Sequence, residues 1–489
     1  MNILNGLSLT PFEWTMSNEF SGSLMEFVVR LNCTGQVDVD KFGQAVSAAL
    51  KHQPLLQANA SIGPTHTASH WRPASDMVPV IKWLEGDPSL GRGSTDGFRP
   101  IELENEIGFR FYGWQYHDES ELRTEMRFVF QHACSDGKGA FSFVEDVLCH
   151  YKLLIDGNGK PGDAALSFDC ERILDRDQRP EAGGLAGRIW RTLVVRPKRA
   201  INMLFTRPLS LSSTEGDEVD EGELIEPPRQ CSITLSREVT EELGRLANSV
   251  GATTNLVLVR ELFHVLGDCV ERSEGKSASA SASGTKGDLL RLLIPFSLRN
   301  ETHRRMPAAN CVSMAYLEAK RNSLVDDDGE NRTLLKDLIK QMAFIRKWQL
   351  QFSWAESIES YARLWPVIKL FKRKKESGGQ NSRQIATAVL TNLGRVFSRG
   401  LLPTSDGKIQ IGSLEVETAH LVVPCTAKQN VNFSVNFYGD RLTIEVSYLP
   451  SKVTVESAQR ILDSWRARVV EVARESSAEF EVRNSKCGN

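Results

Sequence analysis

Phe128-Val-Phe-Gln-His-Ala-Cys-Ser-Asp-Gly-Lys-Gly-Ala-Phe141 is the stretch on which the reading of this chain turns. Strand alternation places Met126, Phe128, Phe130 and His132 on one face, and Arg127, Val129 and Gln131 on the other. His132 thus closes an apolar strand face just before a turn. Asp136-Gly137 tightens that turn, since glycine tolerates positive φ and aspartate bonds its neighbouring backbone. A helix, Gly139–Leu154, follows at once. A histidine at such a strand end can border a cleft, and its pKa near ~6.5 suits proton transfer at neutral pH. On spacing alone, however, His132 and Asp136 read more readily as a core histidine and a turn aspartate. No partner completes a Ser/His/Asp triad, because Ser135 lacks the strained elbow that exposes a nucleophile. Cys134 reads as a buried structural thiol.

Working outward, Leu24–Leu31 predicts a strand and Val39–His52 an amphipathic helix with Phe42, Ala45, Val46, Ala49 and Leu50 at helical spacing. Asp38 is the expected N-cap, and Pro54 stops the helix. Ile107–Gln115 and Arg123–His132 predict two strands joined by the polar turn His117–Ser120. In the later half, strands are expected at Cys231–Leu235, Leu289–Pro295, Val312–Ala319, Ala388–Asn392, Ala419–Pro424, Val431–Tyr438 and Leu442–Tyr448. Helices are expected at Arg237–Ser249, Thr253–Asp268 and Val455–Glu475, and over most of Arg332–Lys374 with a break at Pro366. Ser273–Lys286 reads as a flexible Ser/Ala/Gly loop. Helices and runs of adjacent strands interleave throughout, which predicts an α/β (α+β) fold of mixed sheets flanked by helices. The expected division is residues 1–180, a basic then acidic linker 181–229, and residues 230–489.

Composition narrows the function. The 489 residues are 41% hydrophobic and 25% charged, which excludes a disordered or collagen-like chain. Acidic residues number 62 and basic ones 59, so the net charge of -3 argues against a global nucleic-acid binder. The nine cysteines are odd in number and form no CxxC pair. A disulfide scaffold or structural zinc site is therefore not expected, and a reducing compartment fits. With no secretory leader and no run of ~18 apolar residues, the expectation is a soluble cytoplasmic protein.

His132-Ala-Cys-Ser-Asp136-Gly137 resembles the H-x-x-x-D-G motif of the chloramphenicol acetyltransferase-like superfamily. That group holds nonribosomal-peptide condensation domains, polyketide-associated and alcohol acyltransferases, wax ester synthases and plant BAHD acyltransferases. Further landmarks follow in the family's order over nearly the whole chain. Leu7-Ser-Leu-Thr-Pro11 resembles the opening segment. Gly35-Gln-Val-Asp-Val-Asp-Lys-Phe42, running into Ala49-Leu-Lys-His-Gln-Pro-Leu-Leu56, resembles the first helix and its H-P-x-L turn. Gly251-Ala-Thr-Thr-Asn-Leu-Val-Leu-Val259 resembles the G-A-T-x-N-D-V-L helix start. Ile294-Pro-Phe-Ser-Leu-Arg299 resembles the strand that ends in arginine. Asn310 stands where a G-N pair follows, and Thr391-Asn-Leu-Gly-Arg395 resembles the S-N-L-G stretch of alcohol acyltransferases.

The resemblance implies two similar halves, each a mixed sheet flanked by helices, with an active-site tunnel between them. It implies an acyltransferase that moves an acyl group from a thioester to a hydroxyl or amine, with His132 as general base. Asp136 would pair with Arg299 to organise the site, and Gly137 would lie against the reacting carbonyl, its N–H aiding the oxyanion. Asn310, Asn392 and Gly394 would contact substrate. No metal or organic cofactor is implied; acyl-CoA or an acyl carrier protein would bring the acyl group. Many members carry two adjacent histidines, whereas the first position here is Gln131; the acetyltransferase branches also lack that first histidine. No D-F-G-W-G motif is present, which sets the plant enzymes aside. The resemblance occupies the full length, so the enzyme is expected to stand alone. Rival readings are an amide-forming condensation enzyme and a partner-recruiting domain without catalysis.

Other features carry less. Gly157-Asn-Gly-Lys-Pro-Gly162 satisfies G-x-G-x-x-G but follows a helix and contains Pro161, so it reads as a loop. Residues 188–207 and 363–375 mix basic and apolar side chains. Each suits an anionic membrane surface, a carrier protein or coenzyme A phosphates, and equally a packed helix with a solvated basic face. His150, His264 and His420 sit in apolar settings, and His66 with His70 lacks a third ligand, so no metal site is expected.

Overall fold

The computed structural model describes residues 2–17, 25–74, 76–88, 99–157, 167–177, 206, 208–209, 211, 227–277, 288–303, 305–325, 333–350, 385–426 and 429–487. Its strands begin with β1 (Glu26–Thr34), β2 (Ala58–Ser61), β3 (His70–Pro73), β4 (Val80–Glu85), β5 (Phe109–Asp118), β6 (Glu121–Gln131) and β7 (Arg229–Thr234). They continue with β8 (Leu289–Ser297), β9 (Val312–Lys320), β10 (Ala388–Arg395), β11 (Thr404–Ser405), β12 (Lys408–Ile411), β13 (Leu414–Val422), β14 (Val431–Tyr438) and β15 (Arg441–Tyr448). The helices that matter here are α1 (Pro11–Ser17), α2 (Val39–Leu50), α3 (Gly137–Ile155), α4 (Arg237–Ser249), α5 (Thr254–Ser277), α6 (Thr333–Lys347) and α7 (Val455–Cys487).

A seven-stranded sheet runs β11-β12-β13-β1-β6-β5-β4, and a six-stranded sheet runs β7-β15-β14-β10-β8-β9. In the first, the apolar alternation foreseen from sequence buries Phe27, Val29 and Leu31 of β1, Phe109 and Phe111 of β5, and Phe128 and Phe130 of β6. The same core takes in Phe42 of α2 and Phe143 of α3. Phe42 meets Phe111 at 5.2 Å and Phe109 meets Phe143 at 5.0 Å between ring centres. Asp38 caps α2 by accepting from the Lys41 N–H at 3.0 Å, and its own N–H donates to Tyr151 Oη of α3. The cap therefore both starts one helix and ties it to the next. A second core forms around Phe263, Phe433 and Trp465, whose Nε1 donates to the Leu258 carbonyl.

The expected elements recur with shifted ends. α4 and β14 match their expected spans, α5 runs on to Ser277, and α6 stops at Lys347; residues 351–384 lie outside the described residues. The strand expected to include His132 ends at Gln131, because the chain turns there. The short strands β2, β3, β11 and β12 and the partly exposed β4 were not foreseen; none carries a sustained apolar alternation.

One of the connections between the lobes runs through β13. β13 lies far down the chain but pairs antiparallel with β1, Val28 opposite Val422 and Asn32 opposite Thr418. A division at residue 230 therefore does not partition the sheets. β12 covers β13 only near Leu414, so the edge from Ala419 to Val423 needs other partners. The second sheet supplies them with side chains. Ser434 Oγ donates to the Leu421 carbonyl at 2.9 Å and Asn436 Nδ2 to the Ala419 carbonyl at 3.1 Å. Glu445 Oε2 accepts from the Leu421 N–H and Ser447 Oγ from the Val423 N–H. These four side chains are wholly buried. Elsewhere in the second lobe, the buried Arg291 guanidinium donates to Thr206 Oγ1 and to the Ile385 carbonyl. Apart from Thr206, the basic segments 188–207 and 363–375 lie outside the described residues.

Candidate active site

His132 sits in the turn between β6 and α3, half-buried. Its N–H donates to the Met25 carbonyl at 2.8 Å, and its ring packs edge-on to Phe27 at 5.1 Å. Asp136 caps α3: its Oδ1 accepts from the Gly139 N–H at 2.8 Å. The sequence motif is thus a cap. The residue types that turn the strand into the helix also fix the histidine.

The second lobe closes on this turn. Arg299, just beyond β8, donates through Nη1 to Asp136 Oδ2 and through Nη2 to the Ala309 carbonyl at 2.9 Å. The Cys311 N–H donates to Asp136 Oδ2 at 2.9 Å, and the Asp136 N–H donates to the Ala309 carbonyl at 3.2 Å. Burial alone would raise the Asp136 carboxyl, but the Arg299 charge and these hydrogen bonds hold it below its ordinary value. Burial likewise opposes the charge on Arg299, and Asp136 keeps it firmly protonated. For His132, burial pulls the imidazole below its ordinary value. Hydrogen bonds to the backbone at His132 and Ser135, and the charge of Asp136, act in the other direction. The result is an imidazole that is neutral at neutral pH, the state in which one ring nitrogen can accept a proton.

Two glycines allow the close approach. A side chain at Gly137 would bring its Cβ to 2.7 Å from Leu393 Cδ2. One at Gly139 would come to 2.7 Å from Ser135 Oγ and 3.1 Å from Arg299 Nη2. At Gly137 the Leu393 side chain would have to move, and at Gly139 the Ser135 hydroxyl and the Arg299 guanidinium.

The remaining expected site residues divide. Asn310 reaches His132: its Nδ2 lies 2.7 Å from the His132 carbonyl and 3.2 Å from Nδ1. Asn392 instead serves its own lobe, donating to Asn255 Oδ1 and accepting from the Gly394 N–H. Gly394, with φ of 71°, makes that turn, and Leu393 between the two is the residue that faces Gly137. Two further participants were not foreseen. Gln131 accepts from the Ala133 N–H at 2.5 Å and donates to the Met16 carbonyl at 3.0 Å. Glu26, opposite Gln131 across the strands, is buried and accepts from the Ile101 N–H. Desolvation raises its carboxyl to about 7 despite Arg110 and Arg99 nearby. A Glu at the start of a strand carries no pattern that sequence could have flagged, and Gln131 was noted only as a departure at the motif's first position, with no structural role assigned. Among the described residues no group of side chains could hold a metal ion, and no helix is long and apolar enough to cross a membrane.

This architecture, two mixed sheets with a motif histidine at the first turn after β6, is the condensation-domain and chloramphenicol acetyltransferase-like fold. The chain is similar over 97% of both lengths to the epimerization domain of the third module of tyrocidine synthetase B, at a TM-score of 0.61 and 13% identity. It is similar to the starter condensation domain of rhizomide synthetase, solved with C8-CoA and Leu-SNAC, over 96% of this chain and 94% of that one, at a TM-score of 0.60 and 13% identity. A third similar structure is the TRI3 trichothecene 15-O-acetyltransferase from Fusarium sporotrichioides, matched over 95% of this chain and 94% of that one at a TM-score of 0.57 and 12% identity. No protein-family model matches the sequence, and no curated protein matches it significantly.

Proposed function

We propose that this protein is an acyltransferase that passes an acyl group from a thioester, acyl-CoA or a carrier-bound acyl chain, to a hydroxyl or amine. His132 is the general base. It takes the acceptor's proton as the oxygen or nitrogen attacks the thioester carbonyl, and returns it to the leaving thiolate. Asp136 and Arg299 hold the turn that carries the ring, and the Gly137 N–H stabilises the developing oxyanion. The two substrates meet at His132 through a channel between the lobes. The observation that carries this reading is a neutral, half-buried imidazole fixed at a junction of both lobes. A general base placed in this way contributes roughly 10²–10⁴-fold.

The test is thiol release from acetyl-CoA and octanoyl-CoA in the presence of alcohol and amine acceptors. Acceptor-dependent release that falls by about 10²-fold or more in His132→Ala supports the proposal. Equal release by that variant removes His132 from the reaction. Sedimentation with anionic liposomes at two salt concentrations tests the membrane reading of residues 188–207 and 363–375; salt-insensitive absence of binding rejects it.

A further inference from the structure

Arg30 of β1 and Arg127 of β6 stand directly opposite each other in an antiparallel pair. Their neighbours Val29 and Phe128 turn into the core shared with Phe42 of α2 and Phe143 of α3. The two arginines therefore occupy the other face of the first sheet. Like charges directly opposite one another across strands are destabilising. An acid beside each charge would offset that, and here only one of the two has it. Arg127 Nε donates to Glu125 Oε1 at 2.5 Å, and its guanidinium lies 4.6 Å from the centre of the Trp114 ring. Among the described residues the Arg30 side chain makes one hydrogen bond, from Nη2 to the neutral amide oxygen of Gln230 at 3.2 Å, and its Nε is buried with no partner.

The nearby acids are committed elsewhere. The charges of Glu125 and Glu445 both reach Arg30. Glu125 is taken by Arg127, and the Glu445 oxygens accept from His420, from the Leu421 N–H and from Ser434. His420 stands opposite Arg30 on β13 and is itself held by Glu445 and Thr418. Burial pulls the Arg30 guanidinium below its ordinary value, and the Arg127 charge adds to that pull. Gln230 lies on β7, the edge strand of the second sheet, and its Nε2 is fixed by donation to the Leu421 carbonyl at 2.9 Å. Both arginines are half-buried, not sealed, which leaves them within reach of a small solute.

We propose that Arg30 and Arg127 form an anion site, beside β7 on the face of the first sheet opposite α2 and α3, that binds a phosphate group. A guanidinium presents its donors as a planar fork, and the two oxygens of a carboxylate match one such fork. A phosphate carries close to two negative charges and three strong acceptor oxygens, enough for both forks at once. Its binding neutralises the opposed pair and gives Arg30 the charged partner that the fold withholds. The inference does not depend on the acyl-transfer reading.

Isothermal titration calorimetry of the full chain with inorganic phosphate tests it, sodium chloride holding the ionic strength constant. The wild type is expected to bind phosphate saturably. Arg30→Met removes the charge but keeps an unbranched side chain, and Arg127→Lys keeps the charge but loses the fork. Each weakens binding by about 10-fold or more, the loss expected for hydrogen bonds to a charged group. Lys340→Met removes an exposed charge from α6 and leaves binding unchanged. Thermal melts add a sign. In chloride alone Arg30→Met melts no lower than the wild type, because it removes a charge that has no acid of its own. Phosphate then raises the Tm of the wild type and not that of Arg30→Met. Absence of saturable phosphate binding by the wild type overturns the proposal with no variant needed. Binding that Arg30→Met retains also overturns it and marks an adventitious ion only. So does an Arg30→Met protein that melts well below the wild type in chloride, since Arg30 is then already satisfied within the fold. Phenyl phosphate distinguishes the source of the group. If it displaces inorganic phosphate, the site takes a phosphate carried on a larger molecule; if it does not, the site takes the free ion, and either result upholds the site.

Discussion

Two junctions hold the lobes together, and they are built from opposite materials. At the first, a charged pair does the work: Asp136 meets Arg299 and the backbone of Ala309 and Cys311, all around His132. At the second, neutral side chains of Ser434, Asn436 and Ser447, with Glu445, satisfy the bare edge of β13. The first is small and tied to the candidate chemistry. The second is spread over a strand and serves cohesion: His420 Nδ1 donates to Glu445 Oε1 at 2.8 Å, and its Nε2 meets Thr418 Oγ1 at 2.7 Å. A compact ionic contact fixes one turn sharply, while a row of polar contacts fixes a whole strand but no single side chain. The lesson is that cohesion and positioning can be given to different interfaces of one fold.

The contrast can be broken most directly at Asp136. Asp136→Asn leaves the Arg299 guanidinium, about one-fifth exposed, without its counter-charge, which costs up to about 3–5 kcal/mol. Urea unfolding should show that loss, and thiol release should fall with it. The pH dependence follows from the sign of the shift. Asp136 is more acidic in the folded state, so its contribution is present above the unfolded carboxylate value of ~3.9 and is lost as the pH falls through the lower folded value. The variant should therefore show a shallower acid loss than the wild type. A destabilisation below about 1 kcal/mol would mean that the pair is not what closes the first junction.

Glu26 sharpens the comparison, because it is a carboxyl beside the same turn with no cation bonded to it. Its folded value, raised to about 7, lies above the unfolded one. The folded state then binds the proton more tightly, so stability declines as the pH climbs from the unfolded value toward 7. Glu26→Gln keeps an acceptor for the Ile101 N–H and removes that penalty. It should gain roughly 2–3 kcal/mol over the wild type at pH 8, at about 1.4 kcal/mol per pKa unit, and little at pH 4.5. Equal stability curves at both pH values would reject the buried-acid reading. The smallest effect is expected at the second junction. Glu445→Gln weakens bonds to His420, Leu421 and Ser434 and should cost about 1–3 kcal/mol, with kcat unchanged. A loss of activity without a loss of stability would show that the two interfaces are not separable.

The first junction was partly legible. His132, Asp136, Gly137 and Arg299 were all singled out from sequence, and the structure brings all four together. Asn310, expected against substrate, grips the His132 peptide, while Asn392 and Gly394 form a turn of their own with Leu393 facing the motif. Near a hydrogen-bonded strand end, residue type says that an amide will bond, not to what. The second junction was invisible. Ser434, Asn436, Glu445 and Ser447 read as the polar half of an alternating strand, which normally faces water. They are buried because a distant strand edge brings the backbone groups they need.

By itself, the sequence determined the local elements and the motif turn, because apolar alternation, an aspartate cap and a tight Asp-Gly act over a few residues. It singled out His132 as a candidate for proton transfer only through the motif's resemblance, since residue chemistry and spacing alone favoured a core histidine. Only the tertiary structure decided that β13 crosses to the first sheet, that Gln131 and Asn310 share one peptide, and that Glu26 is buried without a bonded cation. Each of these depends on contacts between segments far apart in the chain, where burial and pairing, not local propensity, set the energy.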